Sequence, residues 1–479
     1  MTMLPELEVL ALVVVRFAET IAWAVIATGL LQNALYLYQL ILAARALSQA
    51  PPVNQAALLW RRYAEAAPPI TLMAPAYNEA LTIVESVRSL LALQYPHFEV
   101  VVVNDGSKDE TLQVLIDAFE LHPVERHYDL AASCQRIRGL YAGANQPRLL
   151  VVDKDNGGKA DALNAAINLS RSPIVCSMDA DSLLEVDALL RAVAPFVEDP
   201  DRTVAVGGTI RIANGCKISF GRVVEVGVPK NLLARLQTVE YLRAFLMARL
   251  AWSRISALTI ISGAFGLFRR QAVLDVGGYS HGTVGEDMEL VVKLHKHYRR
   301  LGKPYRVAFT PEPVCWTEAP ETMAVLSRQR ARWHRGALET FFRHQDMILN
   351  PRYGRIGLIG FGHILVVDVL GPLIEIFGYV LIPAFWLLGV LDVDYLWALL
   401  AVTFGFGIVI SVGALALEET ELRRFPNARS LAVLMGAAIL ENFGYRQINN
   451  FWRLRGTWQF LTGAQGWGKM TRKGFSSGS

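Results

Sequence analysis

Two aspartates stand one residue apart at the end of an apolar run, Val175-Cys176-Ser177-Met178-Asp179-Ala180-Asp181. Read as a buried strand, the run delivers Asp179 and Asp181 to the carboxyl edge of a sheet, where open α/β folds bind ligands. Residues i and i+2 share one side of a strand, so both carboxylates can converge on one hard cation. Mg²⁺ or Mn²⁺ held there would neutralise a diphosphate. Taken alone, such a pair is more often an ordinary strand-end or helix-capping feature, and its neighbours decide the matter.

Ala74-Pro75-Ala76-Tyr77-Asn78-Glu79 ends one apolar run, and Val102-Val103-Asn104-Asp105-Gly106-Ser107 ends another. Each is a strand-end turn feeding a helix N-terminus, where backbone N–H groups and the dipole favour anions and polar ligand groups. Neither G-x-G-x-x-G nor a Walker lysine loop is present, so a dinucleotide or ATPase reading lacks support. Asp153-Lys154-Asp155-Asn156-Gly157-Gly158-Lys159 opens a further helix. Its glycines let the backbone approach a ligand, and Lys159 supplies positive charge near a phosphate; the alternative is a loop with a capping lysine. Gly285-Glu286-Asp287 begins another helix, where a carboxylate suits the dipole or serves as the general base for a sugar hydroxyl. Gln329-Arg330-Ala331-Arg332-Trp333 reads either as a basic amphipathic face on a membrane or as a ligand surface. In the second case arginine holds diphosphate, glutamine bonds hydroxyls and indole stacks on a sugar ring.

These groups need elements to position them. After Pro68-Pro69 the texture is α/β: apolar runs at Ile70–Ala74, Phe98–Val103, Leu149–Val152 and Ile174–Met178 alternate with helical stretches at Glu79–Leu93, Thr111–Leu121, Lys159–Ser170 and Val186–Val197. That alternation predicts a parallel-rich sheet covered on both faces. Weaker strands are expected at Val204–Ile212 and Ile260–Phe268, with a long helix over Asn231–Ile255 between them. Helices are expected at Glu286–Arg299 and Thr322–Ile348.

The chain has 479 residues, 53% of them hydrophobic, too apolar for a purely soluble enzyme. Its net charge of +4 leaves no nucleic-acid footprint. Cys134, Cys176, Cys216 and Cys315 lie far apart and read as reduced, with neither a disulfide framework nor a zinc site. The acidic start does not resemble a cleaved signal peptide. Ile21–Ala44 is uncharged and long enough to span a bilayer, and Arg45, Arg61 and Arg62 after it predict passage into the cytoplasm. Leu4–Thr20 is expected along the interface. Further spans are expected over Pro372–Leu391 and Tyr395–Leu417, joined by an acidic outside loop. Leu431–Leu440 is too short to cross, which keeps the basic C-terminus in the cytoplasm. Asp368 and Glu375, at membrane depth, should face the protein interior or a polar channel; the alternative role is a helix-packing hydrogen bond.

The expected organisation is an N-terminal interfacial segment and transmembrane helix (1–66), a cytoplasmic α/β domain (67–320), interfacial helices (321–355), two transmembrane helices (356–418) and a cytoplasmic interfacial helix with tail (419–479). The expected location is the inner or plasma membrane, multi-pass.

The order and combination of these motifs resemble the membrane-bound family 2 glycosyltransferases: cellulose, hyaluronan, chitin and poly-N-acetylglucosamine synthases. The resemblance runs from about Ile70 to Arg335. It implies the GT-A fold of nucleotide-diphosphate-sugar transferases, a UDP-sugar donor and Mg²⁺ or Mn²⁺. It implies that Asn78, Glu79 and Asp105 hold the nucleoside, that Lys159 lies at the donor, that Asp179 contacts the nucleotide-sugar and that Asp181 binds the metal, with Asp179 as its partner carboxylate. Asp287 matches the family's E-D motif and becomes the base. Gln329, Arg330, Arg332 and Trp333 match its Q-x-x-R-W signature at the acceptor and diphosphate. Ser262-Gly263-Ala264-Phe265-Gly266 occupies the place of a loop that touches the acceptor sugar. Gly466–Lys473, with Trp467 and Arg472, is similar to the W-G-T-R-type gating loop, although Lys469-Met470 intervene; the alternative is a basic interfacial tail anchored by tryptophan.

The implied activity is inverting, metal-dependent elongation of a β-linked polysaccharide, with secretion as an added role. Known synthases have more transmembrane helices than three, so a small membrane subunit or a second copy of this chain would complete a pore. One rival is a non-processive enzyme that glycosylates a membrane lipid such as diacylglycerol or polyprenyl phosphate. The other is a receptor or scaffold with a degenerate transferase domain, against which the intact acidic motifs speak.

Overall fold

The computed structural model describes residues 5–49, 56–219, 221–389, 393–421, 425 and 427–463. Helices α1 (Pro5–Ser48) and α2 (Ala56–Tyr63) lead into the α/β domain. There follow β1 (Ile70–Ala76), α3 (Ile83–Leu91), β2 (Phe98–Asp105), α4 (Thr111–Phe119), β3 (His122–Pro123), β4 (Ile137–Gly143), β5 (Gln146–Lys154), α5 (Lys159–Leu169), β6 (Ile174–Met178) and β7 (Leu183–Leu184). Next come α6 (Ala188–Glu198), β8 (Thr203–Ile212), the hairpin β9 (Lys217–Ser219) and β10 (Arg222–Glu225), and α7 (Leu232–Tyr241), which runs through a π-helical stretch, Leu242–Arg249, into α8 (Leu250–Arg254). The domain closes with β11 (Phe265–Arg269), α9 (Arg270–Asp275), α10 (Glu286–Leu301), β12 (Arg306–Thr317) and α11 (Met323–Arg343). Beyond it lie α12 (Phe361–His363), flanked by π-helical turns, then α13 (Gly371–Leu387), α14 (Val393–Glu421), α15 (Ala428–Leu440) and α16 (Tyr445–Leu461).

The main sheet has the order β3-β4-β5-β2-β1-β6-β11-β8-β12-β7. Its centre is parallel: β1 pairs β2 from Ile70↔Phe98 to Ala76↔Asn104, β2 pairs β5 up to Asp105↔Lys154, and β1 pairs β6 from Ile70↔Ile174. Strand β11 then runs antiparallel to β6, with Phe265 opposite Met178. Every residue of β6 is buried, as the apolar run demands of a strand covered on both faces. The core is continuous with the apolar helices: Ala43, Ala46 and Leu47 of α1 and Ile410, Ala414 and Leu417 of α14 belong to the same buried cluster as the strands.

Several boundaries differ from expectation. The helix expected from Glu79 begins only at Ile83, because Asn78 takes φ 55 and the following residues form a turn. The strand expected over Ile260–Phe268 is confined to Phe265–Arg269, and Ile260–Ala264 is irregular. Strands β4 and β12 were not expected. β4 is a half-exposed outer strand that carries arginine at 138 and glycine at 139, and β12 contains Pro311 and Pro313, where its pairing with β8 shifts register. The helix expected over Thr322–Ile348 ends at Arg343 and passes into a 3₁₀ turn, Gln345–Met347. Leu4–Thr20, expected as a separate interfacial segment, joins Ile21–Ala44 in the single helix α1 over its described residues.

Three helical stretches among the described residues are long and apolar enough to cross a membrane: Val15–Ser48, Ile356–Leu387 and Val393–Thr420. They correspond to the three spans expected. Ala428–Leu440 is apolar and too short, also as expected.

Candidate active site

Because β5, β2, β1 and β6 are parallel, their carboxyl ends open on one edge, the crevice where such sheets take ligands. That edge receives Asn78 after β1, Asp105 at the end of β2, the 154–159 turn after β5, and Asp179 and Asp181 after β6. The reversed direction of β11 brings Ser262, Gly263 and Ala264 to the same place.

Lys159 is the first residue of α5, set by Gly158, whose φ of 87 suits glycine. Its ammonium donates to Asp179 Oδ1 (2.6 Å) and to the carbonyl of Gly263 (3.1 Å), and pairs with Glu286 Oε1 at 3.2 Å. A Cβ on Gly263 would lie 2.9 Å from Lys159 Nζ and 3.4 Å from Asp287 Oδ2. Four separate segments therefore converge within contact distance. Burial works against the ammonium, but Asp179, Glu286 and Asp287 outweigh it and hold the Lys159 pKa above the usual lysine value. Burial pushes the Glu286 carboxyl up; Asp287 adds to the rise and Lys159 opposes it. Asp287 Oδ1 accepts from the Met288 N–H (2.8 Å), which leaves Oδ2 on the side of Gly263 and Lys159. Asp181 is half-buried. No cluster of three or more His, Cys, Asp or Glu among the described residues forms a protein-only metal cage.

The residues expected at the nucleoside build the walls of this edge. Asp105 is buried and accepts from Lys154 Nζ (2.5 Å), Gly157 N (3.0 Å), Gly158 N (2.7 Å) and Asn156 Nδ2 (3.2 Å). Lys154, fully buried, also meets Asp161 at 2.5 Å. Asp105 thus shapes the glycine turn that presents Lys159. Asn78 Oδ1 accepts from Lys108 N (2.8 Å) and its N–H donates to Ser107 Oγ (3.0 Å); the Glu79 N–H donates to Thr111 Oγ1 (2.9 Å). Ser262 Oγ accepts from the Ala264 N–H at 3.2 Å, which turns the chain into β11.

The Gln329–Trp333 group divides. Arg330 is buried, pairs with Glu240 of α7 at 2.7 Å and lies over the Trp333 ring at 4.5 Å. Tyr445 Oη donates to the same Glu240 oxygen at 2.8 Å. Arg330 is thus committed to packing between α7, α11 and α16. Trp333 is 42% exposed, Arg332 is half-buried, and Gln329 Oε1 is buried with no partner among the described residues. Trp467 and Arg472 lie outside the described residues.

Sequence reasoning missed three contributors. Arg249, on the π-helical stretch, donates to the carbonyls of Ile261 (2.8 Å) and Ala244 (3.0 Å) and so anchors the approach to Ser262-Gly263. Burial lowers its pKa to about 10, and the Asp287 carboxylate partly offsets this. Glu339 and Gly336 on α11 touch the segment before Asp287. The π-helical winding that places Arg249 has no period-3.6 signature, and the other two lie just beyond a motif that drew attention to itself.

The family model described as "Glycosyltransferase like family 2" matches residues 68–336, more than half of the chain. The chain is 30% identical over 274 residues to the poly-beta-1,6-N-acetyl-D-glucosamine synthase of Staphylococcus aureus (strain COL), a match covering 57% of this chain and 56% of that protein. The protein of the same name from Staphylococcus epidermidis is 29% identical over 274 residues, with the same coverage. The chain thus spans little more than half the length of these relatives. Among solved structures, a mannosyltransferase from Pyrobaculum calidifontis in complex with GDP-Man and Mn²⁺ superposes with a TM-score of 0.53 over 94% of this chain and 100% of that one, at 20% identity. That likeness is one of fold and agrees with the GT-A arrangement of a parallel-rich sheet with helices. The chain belongs to the Glycosyltransferase like family 2.

Proposed function

We propose that this protein transfers sugar from a UDP-sugar onto a growing β-linked polysaccharide at the cytoplasmic face of a membrane, with inversion at the anomeric carbon. The observation that carries the reading is the convergence of Lys159, Asp179, Gly263 and Asp287 at one sheet edge. The Staphylococcus synthases, named for a polymer of N-acetylglucosamine, support the choice of product class. The apolar helices around the domain support a membrane site.

The donor set at the end of β6 fits a hard divalent cation: two half-exposed carboxylates at i and i+2, with no full protein cage among the described residues, leave coordination positions for diphosphate and water. Asp179 and Asp181 would hold Mg²⁺ or Mn²⁺, which when bound supplies charge neutralisation at the diphosphate. Asp287 Oδ2 takes the proton of the acceptor hydroxyl as its oxygen bonds to C1 of the donor. The C1–oxygen bond to the diphosphate breaks, and the nucleoside diphosphate leaves with the bonding pair. Lys159, held cationic by its carboxylates, and an arginine of the Gln329–Trp333 group stabilise that leaving charge. Trp333, exposed on α11, offers its face to an acceptor sugar, and the neighbouring Gln329 amide is the group that would bond a sugar hydroxyl. Asn78, Glu79 and Asp105 frame the nucleoside pocket, and Ser262 and Gly263 border the acceptor. A small membrane subunit or a second copy of this chain completes the path for the polymer.

The test is a donor panel of UDP-N-acetylglucosamine, UDP-glucose and GDP-mannose with purified protein and Mg²⁺ or Mn²⁺, scored for nucleotide release and product length. A long product from a UDP-sugar is expected. Label confined to a short, lipid-extractable product would overturn polymer synthesis, and no nucleotide release from any donor would overturn the transferase reading.

A further inference from the structure

Helix α10 begins at Glu286-Asp287, and the segment before it is irregular, with Gly282 at φ 71. A base carried on such a segment needs an external brace. Helix α11 supplies one at two points. The Val284 N–H and the Thr283 hydroxyl both donate to Glu339 Oε2, each at 2.9 Å. One turn earlier, Arg335 pairs with Glu339 Oε1 at 3.0 Å, which holds the carboxylate in one orientation. At the second point two backbones touch. A Cβ on Gly336 would lie 2.9 Å from the Cα of Gly285, and a Cβ on Gly285 would lie 3.0 Å from the Cα of Gly336. Gly285 is the residue immediately before the two carboxylates. Farther along, His344 lies 3.2 Å from Glu289, so α10 and α11 are also tied one turn deeper.

We propose that Glu339 is a positioning residue: with the Gly336–Gly285 contact, it sets where Asp287 stands against the acceptor. The inference rests on the reading of Asp287 as the base. Neither Glu339 nor Gly336 touches the reacting atoms, and both act through the segment 283–285. A carboxylate at this position also faces the N-terminal end of α10, where negative charge is favoured. The consequence is kinetic. Misplacing a catalytic group by about 1 Å costs about 100-fold in rate, whereas the donor edge is held by its own bonds, Asp105 to the glycine turn and Lys159 to Asp179, and meets the braced segment through the Lys159–Glu286 pair.

The test uses the full chain in detergent. Glu339→Ala should lower kcat about 100-fold, with the donor KM and the nucleotide Kd within about two-fold of wild type. Glu339→Gln keeps an acceptor for the Val284 N–H and should recover kcat to within about five-fold. Should the alanine variant fail to fold, Gly336→Ala serves in its place: its methyl meets Gly285 and should cut kcat at least about ten-fold at unchanged KM. Wild-type kcat in folded Glu339→Ala, or kcat within about two-fold of wild type in Gly336→Ala, overturns the proposal. So does a parallel rise of KM and fall of kcat with no recovery by glutamine. Asp287→Asn, measured alongside, separates the two readings: full turnover there removes the base assignment itself, while an inactive Asp287→Asn beside an unaffected Glu339→Ala removes only the brace.

Discussion

Asp287 has two unlike oxygens. Oδ1 is tied to the Met288 N–H and Oδ2 is left toward Gly263 and Lys159. Asp287→Asn keeps the first contact and deletes the proton acceptor. General-base catalysis contributes about 10² to 10⁴ in rate, so turnover should fall by that range while nucleotide affinity, measured by calorimetry, stays unchanged; loss of both would mark a structural residue instead. Gly263→Ala places a methyl 2.9 Å from the Lys159 ammonium, which is the movable end of a flexible side chain. The fold should tolerate it, but Lys159 must leave the Asp179 oxygen. Nucleotide release should fall about ten-fold with an unchanged unfolding midpoint. Residue types were legible in the sequence; their partners were not. Asp105 meets Lys154 across 49 positions, and Arg330 meets Glu240 across 90. Composition within a motif says nothing about a counter-charge that far away, so the internal partners of Asp105 and Arg330 are seen only in the fold.

At the scale of elements, α10 is fastened along its length as well as at its start. His295 is fully buried: Nε2 donates to the Leu258 carbonyl at 2.8 Å and Nδ1 lies 2.7 Å from Tyr305 Oη. Burial pushes its pKa down to about 4, the carbonyl bond opposes this and Arg299 adds to the fall. The folded state keeps this ring neutral while an unfolded histidine takes a proton near pH 6.5. Stability is therefore complete above that pH and is lost as pH falls from about 6.5 toward about 4, by about 3 kcal/mol in all. His334 on α11, buried and pushed down to about 3 by burial and by Arg453, adds a loss of the same sign. Unfolding midpoints in detergent should drop over that window, and His295→Gln should flatten the drop; a variant curve as steep as wild type would refute the assignment. The α/β alternation was readable because period-2 and period-3.6 patterns are local. Strand β12 was not, because its prolines interrupt the pattern and only pairing with β8 makes it a strand.

At the scale of the molecule, α16 joins the apolar helices to the site. Arg453 donates to Asp368 Oδ1 and to the Val367 carbonyl, each at 2.7 Å, and lies 3.4 Å from His334 Nδ1 on α11. Glu375 accepts from Tyr379 on its own helix and from Asn450 on α16. Of the two roles open to Asp368 and Glu375, the helix-packing hydrogen bond is the one seen. The α11 helix that these contacts steady is the one whose Glu339 accepts from Thr283 and Val284, just before Asp287. Arg453→Met should strand Asp368 and lower stability by about 2 kcal/mol, read as a lower unfolding midpoint in detergent. Its kcat should fall more than its donor affinity, since α16 packs on α11 and α13; equal losses would argue against this route.

From the residues alone come the acidic pair at the end of an apolar run, the glycine turn with its lysine, the strand–helix alternation and three apolar stretches of membrane-spanning length. Each is written in spacing along a few turns of chain. Which carboxylate meets which cation, that β11 runs backwards and brings Gly263 to Lys159, and that α11 touches the segment before Asp287 while burying Arg330 are decided only when distant segments pack. Strand order and direction set those encounters, and no local period encodes them.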